Sequence, residues 1–234
     1  MEVHHHPKIE KKKFKEYFLE FLMIFLAVTL GFIAENLREN ISNREIVKKN
    51  MEAIVSGLRS DTANLNNIVA LNKFRITGFD SLKKFRYQNL TDTNILKVFL
   101  PRLIDVFHFD YYRPSSVALD QMKSTGGFRL VKQHNIVDSI FAYYDFNGGL
   151  DLNREYLGQF QLRLFDLYEK LFDPDNLAET SGILSKNKEL LFEFFNEMRL
   201  LNIGLKTFYT PHLEFQFEKA SRLIELLEKQ YDLK

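Results

Sequence analysis

The sequence predicts an all-α protein: a single N-terminal transmembrane helix that continues into a long juxtamembrane helix and an extramembrane helical bundle. One uninterrupted apolar run lies near the N-terminus, and elsewhere apolar residues recur at three- and four-residue steps, which is a helical period. The 234 residues include only 10 glycines and 5 prolines, too few turn signals for a β-rich fold. The net charge is +1 with acids and bases well mixed, so no nucleic-acid partner is expected.

Residues 17–35 form the predicted transmembrane helix, and 17–34 are its apolar span. Between Phe21 and Ile33 there is no charge, and Thr29 is the only polar side chain. At about 1.5 Å per residue the span measures roughly 27 Å, close to the ~30 Å hydrocarbon core of a bilayer. The alternatives are a buried helix of a soluble protein and a cleaved signal peptide. The length and the flanks argue against the first, and the lack of a small-residue cleavage site favours a retained signal anchor over the second.

The cations on either side of the span predict its orientation, because the positive-inside rule counts Lys and Arg rather than net charge. The N-terminal side holds Lys8, Lys11, Lys12, Lys13 and Lys15, and the C-terminal side holds Arg38, Arg44, Lys48 and Lys49. The N-terminal side has the majority. Residues 1–16 are therefore predicted to be a basic cytoplasmic tail, and the body of the chain to lie outside the cytoplasm.

One face of the predicted span combines a carboxylate with small residues: Glu20, Ala27, Gly31 and Ala34. Small residues let helix backbones approach closely, and an intramembrane carboxylate normally faces protein or water rather than lipid. The bland alternative is that Glu20, about one turn from the cytoplasmic end, simply reaches the lipid headgroups. The face predicts self-association, or docking to a membrane-protein partner within the bilayer.

Residues 36–86 are predicted to form a long juxtamembrane helix, with Thr77-Gly78 as a candidate break. The main apolar row comprises Leu37, Ile41, Met51, Val55, Leu58, Leu65, Val69, Ile76 and Phe79. A second row comprises Ile46, Ile54, Ile68 and Leu71. Two rows make the stripe wider than a two-stranded seam, so both a coiled coil and packing on the domain's own helices remain open.

Residues 87–234 read as a bundle of helices joined by short loops. The predicted helices cover 93–107 with a kink or split at Pro101, 115–123, 134–144, 151–171, 187–208 and 215–227. The predicted stops are 126–127, 147–149 and 173–174, with a restart at 210–211. The high phenylalanine content predicts an aromatic helical core.

The segment Ser124-Thr125-Gly126-Gly127, with Arg129 beyond it, is a candidate loop for an anion or ligand. It lacks the Walker spacing and no strand precedes it, so a helix C-cap followed by a turn is the favoured interpretation. The pairs 111–112 and 143–144 are tyrosines that either line a ligand cleft or pack as interior aromatics with hydrogen-bonded hydroxyls.

The triplet His4, His5 and His6 is a weak metal candidate, since a structural site normally gathers four ligands from a folded framework and the chain has no cysteine. A cytoplasmic tail without metal is the favoured interpretation. No nucleophile elbow, zinc-binding helix or kinase signature occurs. The sequence therefore predicts a protein that is not an enzyme and needs no cofactor.

Two parts of the chain resemble a known family. The first is EVHHHP at 2–7, followed by YFLEFL at 17–22 and GFIAE at 31–35; the second is ALDQMKSTGGFRLV at 118–131, followed by IFAYY at 140–144. Both are similar to an uncharacterised family of single-pass envelope proteins common in Bacteroidota. The resemblance implies a bacterial inner-membrane protein with a periplasmic helical domain and a native histidine triplet, and it implies no activity.

The expected function is that of a non-enzymatic scaffold or accessory subunit of a membrane complex. Its expected partners are the lipid bilayer and either a second copy of the chain or another membrane protein. One alternative is a periplasmic sensory module that binds a ligand in its bundle. The other is an accessory subunit of an ion-driven motor or transporter that uses Glu20, because a short tail, one span and a periplasmic domain resemble the layout of stator B-type subunits.

Overall fold

The structure is a computed structural model that describes residues 14–90, 92–107, 110–173 and 187–233. The candidate metal residues His4, His5 and His6 lie outside the described residues, as does most of the predicted tail. The elements within those ranges are helices, so the all-α prediction is confirmed. The α-helices are α1 (Phe14–Leu82), α2 (Thr93–Phe107), α3 (Val117–Thr125), α4 (His134–Leu171), α5 (Lys188–Gly204) and α6 (Thr210–Tyr231).

Short helical turns connect several of these elements. A 3-10 turn at Lys83–Tyr87 follows α1, and another at Gly127–Leu130 follows α3. A π-helical turn at Leu205–Tyr209 joins α5 to α6 without an intervening loop. The long juxtamembrane helix, predicted to end at residue 86, ends at Leu82 and is followed by the 3-10 turn.

The chain divides into two compact units, Met1–Lys49 and Asn50–Lys234. In the second unit, the C-terminal part of α1 buries its apolar rows, and Met51, Ile54 and Leu58 have no exposed surface. These residues belong to the two apolar rows of the predicted juxtamembrane helix, which fitted either a coiled coil or packing against the domain's own helices. In this unit, packing within the domain is the arrangement found, and it places this part of α1 in the bundle.

The core of the second unit is rich in phenylalanine, as predicted. The ring of Phe99 lies 5.4 Å from that of Phe85 and 5.9 Å from those of Phe172 and Phe195, measured between centroids. Such offset and edge-on pairs add about 0.5–1.5 kcal/mol each beyond the burial of apolar area. The aromatic cluster fixes the mutual packing of α2, α5 and the end of α4.

The predicted break at Thr77-Gly78 is wrong, because α1 continues to Leu82. A Cβ added at Gly78 would lie 2.5 Å from Cγ1 of Val106 in α2. This glycine therefore serves the close approach of two helices rather than the end of one.

The predicted stop at 147–149 is also wrong, because α4 is one helix from His134 to Leu171. Gly149 does not have a positive φ; Gly126 is the glycine with positive φ in the described part of the chain. Tyr143 and Leu150 are buried on either side of the glycines. A glycine in a helix costs only about 1 kcal/mol relative to alanine. The free energy gained by burying a large apolar side chain is greater than this cost, so the helix continues through the glycines.

The other helix ends follow their local chemistry. Asn187 caps α5, its Oδ1 accepting from the amides of Glu189 at 2.9 Å and Leu190 at 3.5 Å. Gly126 ends α3 in the left-handed conformation, with φ 70°. Pro101 lies within α2 and does not split it, and Pro211 lies in the first turn of α6. The helix α4 ends before Phe172, whereas the stop expected from Pro174 lies outside the described residues.

Candidate functional sites

The N-terminal part of α1 carries a long run of exposed apolar side chains at residues 17–34, which we call the apolar segment of α1. Among the described residues, one helix is long and apolar enough to cross a membrane: its most apolar window has a mean hydropathy of 2.2, and none of that window is buried. Phe18, Phe25 and Phe32 are between 54% and 68% exposed. A continuous apolar surface of this kind marks a membrane or protein contact. By length, composition and position, the segment fits a membrane anchor or a signal sequence.

Thr29, the one polar side chain between Phe21 and Ile33, is compatible with lipid. The hydroxyl of Thr29 donates to the backbone carbonyl of Phe25 across 2.8 Å, so its donor is satisfied within the helix. The backbone of an α-helix satisfies its own hydrogen bonds, which is the requirement for crossing a hydrocarbon layer.

The predicted association face lies on this segment. Glu20, Ala27, Gly31 and Ala34 are all exposed residues of α1, and their spacing places them on one side of it. A Cβ added at Gly31 would meet nothing within 4 Å, so this position is open to another helix. Association through the face stays a prediction.

The segment Ser124-Thr125-Gly126-Gly127 forms the expected C-cap. The hydroxyls of Ser124 and Thr125 both donate to the carbonyl of Gln121, at 3.0 and 2.9 Å. The amide of Gly126 donates to the carbonyl of Lys123 at 3.4 Å. The two hydroxyls and the Gly126 amide are thus engaged within the helix end.

The next residues of this loop also take part in internal contacts. Gly127 is buried, and a Cβ there would lie 3.1 Å from Nδ2 of Asn50 in α1. The side chain of Arg129 is exposed, while its amide donates to the carbonyl of Gly126 at 3.0 Å. The loop therefore acts as a packing turn in the structure, and anion binding by it stays a prediction.

A buried polar cluster, which the sequence analysis missed, connects α1 to α4. We call it the Asp61 centre; it consists of Asp61, Tyr112, Ser115 and Tyr143. The carboxylate of Asp61 is 2% exposed and accepts from the amide of Ser115 at 2.8 Å and from the hydroxyl of Tyr143 at 2.9 Å. The hydroxyls of Tyr112 and Tyr143 lie 2.9 Å apart, and Tyr112 also hydrogen-bonds to Asp61.

The electrostatics of the Asp61 centre are dominated by burial. Burial raises the pKa of Asp61, while the hydrogen bonds from Ser115, Tyr143 and Tyr112 oppose that rise. Burial also raises the pKa of both tyrosine hydroxyls, which keeps them protonated as donors. The centre therefore surrounds one acid with neutral hydrogen-bond donors. This arrangement joins α1, the loop at 112–115 and α4.

The sequence carries a signal for this centre. Asp61 follows Leu58 by three residues and precedes Leu65 by four, and both leucines have no exposed surface. An acid at that spacing lies on the buried face of the helix, where it needs donors. The tyrosines at 112 and 143 supply them, so the interior-aromatic interpretation of these two residues is the one found.

A second buried polar group lies further along α1. The side chain of Arg75 is 2% exposed, its Nη1 donates to Oδ1 of Asn72 at 2.9 Å, and its Nη2 lies 3.9 Å from Oδ2 of Asp110. Burial lowers the pKa of Arg75, and the charge of Asp110 opposes that change. Nearby, burial raises the pKa of Tyr209 to about 12 while its hydroxyl accepts from the amide of Tyr112 at 3.2 Å.

A cleft of about 540 Å³ opens between the end of α1 with its 3-10 turn and the end of α5 with its π turn. We call it the basic cleft. Its charged lining residues are Lys83, Arg86, Arg199, Lys206 and Asp80. Its apolar lining includes Phe79, Tyr87, Phe195, Met198 and Ile203. Cations thus outnumber acids four to one around an apolar floor.

Several polar contacts order the lining of the basic cleft. Asp80 accepts from Nδ2 of Asn202 at 3.1 Å and lies 3.9 Å from Nζ of Lys206. Arg86 donates through Nη2 to Oδ1 of Asn196 at 2.9 Å, and its guanidinium lies 4.0 Å from the ring centroid of Phe192. The single acid and two of the four cations, Lys206 and Arg86, are therefore already in contact with other protein groups.

Comparison with known protein families, with curated proteins and with solved structures finds no match for this chain. The resemblance carried by residues 2–7, 17–22, 31–35, 118–131 and 140–144 therefore stays an expectation.

Proposed function

We propose that this protein is a non-enzymatic component of the bacterial inner membrane that acts as a scaffold or accessory subunit of a membrane complex. Its apolar N-terminal helix spans the bilayer, residues 1–16 lie in the cytoplasm, and the helical bundle lies in the periplasm. The observation that supports this most is the apolar segment of α1: none of its most apolar window is buried, whereas the second unit packs a large set of apolar side chains into a core.

The energetics favour insertion of this segment into lipid. Full burial of one Leu, Ile or Phe side chain stabilises by about 1.5–3 kcal/mol relative to exposure in water. The segment contains many such residues, and Thr29 already has its hydroxyl donated to the helix. Glu20 opposes insertion, since an acid at the centre of a span costs about 2.5–3.5 kcal/mol and less near its ends. The balance supports a retained anchor.

Glu20 also supports a contact within the membrane. A carboxylate on a face with Ala27, Gly31 and Ala34 gains most when another helix covers that face and supplies a polar or charged partner. A helical bundle with a solid core then serves as the periplasmic surface of the same assembly. Scaffolding needs no reactive group, which agrees with the structural role of the Asp61 centre.

Disulfide crosslinking in native membranes tests the association. The chain has no cysteine, so single substitutions report on one position each. Ala27→Cys and Gly31→Cys lie on the predicted face, while Phe25→Cys and Phe32→Cys lie on the opposite side of the helix as matched controls. We expect crosslinked dimers or a crosslinked partner from positions 27 and 31 only. Equal crosslinking from all four positions, or none from any, would contradict the proposal.

A second candidate function is a periplasmic ligand-binding module. The basic cleft favours it, because small-molecule sites are concave, mostly apolar and carry a few converging polar groups. Direct binding measurements on the intact protein test this function separately from membrane association. The two functions are compatible, since a scaffold subunit can also carry a ligand site.

A further inference from the structure

We propose that the basic cleft binds a small amphipathic anion: a phosphate or carboxylate head joined to an apolar body. This inference rests on the second candidate function, ligand binding, and is independent of the association face of the transmembrane helix. The cleft is formed entirely by residues of the second compact unit.

The charge of the lining selects an anion. Four cationic side chains face the cleft together with one carboxylate, although the chain as a whole carries a net charge of only +1. Asp80 is already engaged by Asn202 and Lys206, so it offers little attraction to a cationic guest. Within the described part of the chain, Lys83 and Arg199 form no ion pair with a carboxylate. Their charges are available to a phosphate or carboxylate head.

The floor of the cleft selects an apolar body. Phe79, Phe195 and Met198 are buried residues of the core that also line the cavity, while Tyr87 and Ile203 are exposed, at 84% and 42%. A guest that carries only a charged head would leave this apolar surface in contact with water. A cavity of about 540 Å³ has the size of a typical small-molecule pocket.

The lining is partly arranged before any guest binds. Arg86 is held by Asn196 and by the ring of Phe192, which reduces the entropy lost when its guanidinium contacts a ligand. Asn202 is also held in place, since its Nδ2 donates to Oδ1 of Asp80 at 3.1 Å.

Isothermal titration of the intact protein in nanodiscs of zwitterionic lipid tests the proposal. The probes are hexyl phosphate, hexanoate, inorganic phosphate and hexyltrimethylammonium, with empty nanodiscs as the blank. We expect saturable binding of hexyl phosphate or hexanoate, at least about tenfold weaker binding of inorganic phosphate, and no binding of the cation. Equal affinity for inorganic and hexyl phosphate, or no saturable binding of either hexyl anion, would overturn the proposal.

Paired variants locate the site. Lys83→Gln with Arg199→Gln removes two cleft cations, and Lys97→Gln with Arg102→Gln removes the same charge from exposed positions of α2 outside the cleft. We expect the cleft variant to bind the hexyl anion at least about tenfold more weakly and the α2 variant to bind it normally. All four positions are exposed, so both variants should keep the wild-type thermal unfolding. Equal loss in both variants, or unchanged binding in the cleft variant, would refute the assignment.

The anion can come from a lipid or from a soluble metabolite, and one further arm separates these sources. Long-chain lysophosphatidic acid is added to the nanodiscs before hexyl phosphate is titrated. Competition supports a lipid as the source of the head, and undiminished binding supports a soluble amphiphile. Absence of crosslinking at positions 27 and 31 would leave these binding results unaffected, so failure of the scaffold proposal is distinguishable from failure of this one.

Discussion

The hydroxyl of Tyr143 donates a hydrogen bond to the buried carboxylate of Asp61 across 2.9 Å, and this contact ties α4 to α1. The two residues are 82 positions apart in the chain. The contact fixes the part of α1 that belongs to the bundle against the longest of the other described helices. Removal of this contact therefore tests how much it contributes to the stability of the bundle.

Tyr143→Phe should destabilise the bundle by about 1–3 kcal/mol, because it removes one donor from a buried carboxylate and leaves the ring packing intact. The matched control is Tyr156→Phe, whose hydroxyl is on a side chain that is 55% exposed. Denaturant unfolding of the full chain in detergent, followed by far-UV circular dichroism, measures both. Equal stability of the two variants would show that the Asp61 contact contributes nothing.

The Asp61 centre also predicts a pH dependence. Burial raises the pKa of Asp61 above its value in the unfolded chain, so the folded chain holds the proton more tightly. The contribution of this residue is fully present below its unfolded pKa, near pH 4, and is lost as pH rises through its folded pKa. From about pH 4 toward neutrality, the wild type should therefore lose stability relative to Asp61→Asn.

The measurement is the free energy of unfolding of wild type and Asp61→Asn at several pH values, taken as a difference so that other carboxylates cancel. Glu52→Gln, on an exposed position of α1, is the control and should track the wild type at every pH. A difference that does not change with pH, or that moves in the opposite direction, would contradict the pKa direction assigned to Asp61.

Two glycines in helices should respond oppositely to alanine. At Gly78 the new Cβ would lie 2.5 Å from Cγ1 of Val106, so Gly78→Ala forces α1 and α2 apart. Overpacking costs about 1–3 kcal/mol and exceeds the ~1 kcal/mol gained in helix propensity. At Gly158 nothing lies within 4 Å, so Gly158→Ala should stabilise by about 0.5–1 kcal/mol. Thermal unfolding of both variants checks the sign; stabilisation by Gly78→Ala would contradict the close approach.

Glu20→Gln tests the association face without a change of shape. If Glu20 forms part of a helix contact, the neutral amide should reduce crosslinking through Gly31→Cys several-fold, since intramembrane polar contacts contribute about 0.6–2 kcal/mol. Glu39→Gln, on an exposed position of α1 outside the predicted span, is the control and should leave crosslinking unchanged. Unchanged crosslinking with Glu20→Gln, accompanied by loss of a proton-dependent phenotype, would favour the ion-coupled alternative instead.

Local signals in the sequence predicted several elements well. The bounds of α2 follow from its apolar period, the end of α3 follows from Gly126, and the start of α5 follows from the cap at Asn187. The predicted breaks near Gly78 and Gly149 failed because tertiary packing outweighs the modest helix cost of a glycine. Local rules cannot weigh a contact that depends on a distant helix.

The Asp61 centre and the basic cleft both depend on contacts between residues that are far apart in the sequence. Tyr143 reaches Asp61 from another helix, and the basic cleft brings Lys83 together with Arg199 from an element more than a hundred residues later. An acid on the buried face of α1 was visible in the sequence as a polar residue between Leu58 and Leu65. Its partners were not, since nothing in the local pattern says which donors fold against it.

The central claim is that the apolar segment of α1 is a retained membrane anchor. Its most direct test is fractionation of cells that produce the untagged protein, with an alkaline carbonate wash of the membranes and mass spectrometry of the N-terminal peptide. We predict that the protein stays in the washed membrane fraction, dissolves only in detergent and still carries residues 1–34. A soluble polypeptide, or one that begins after residue 34, would contradict the account.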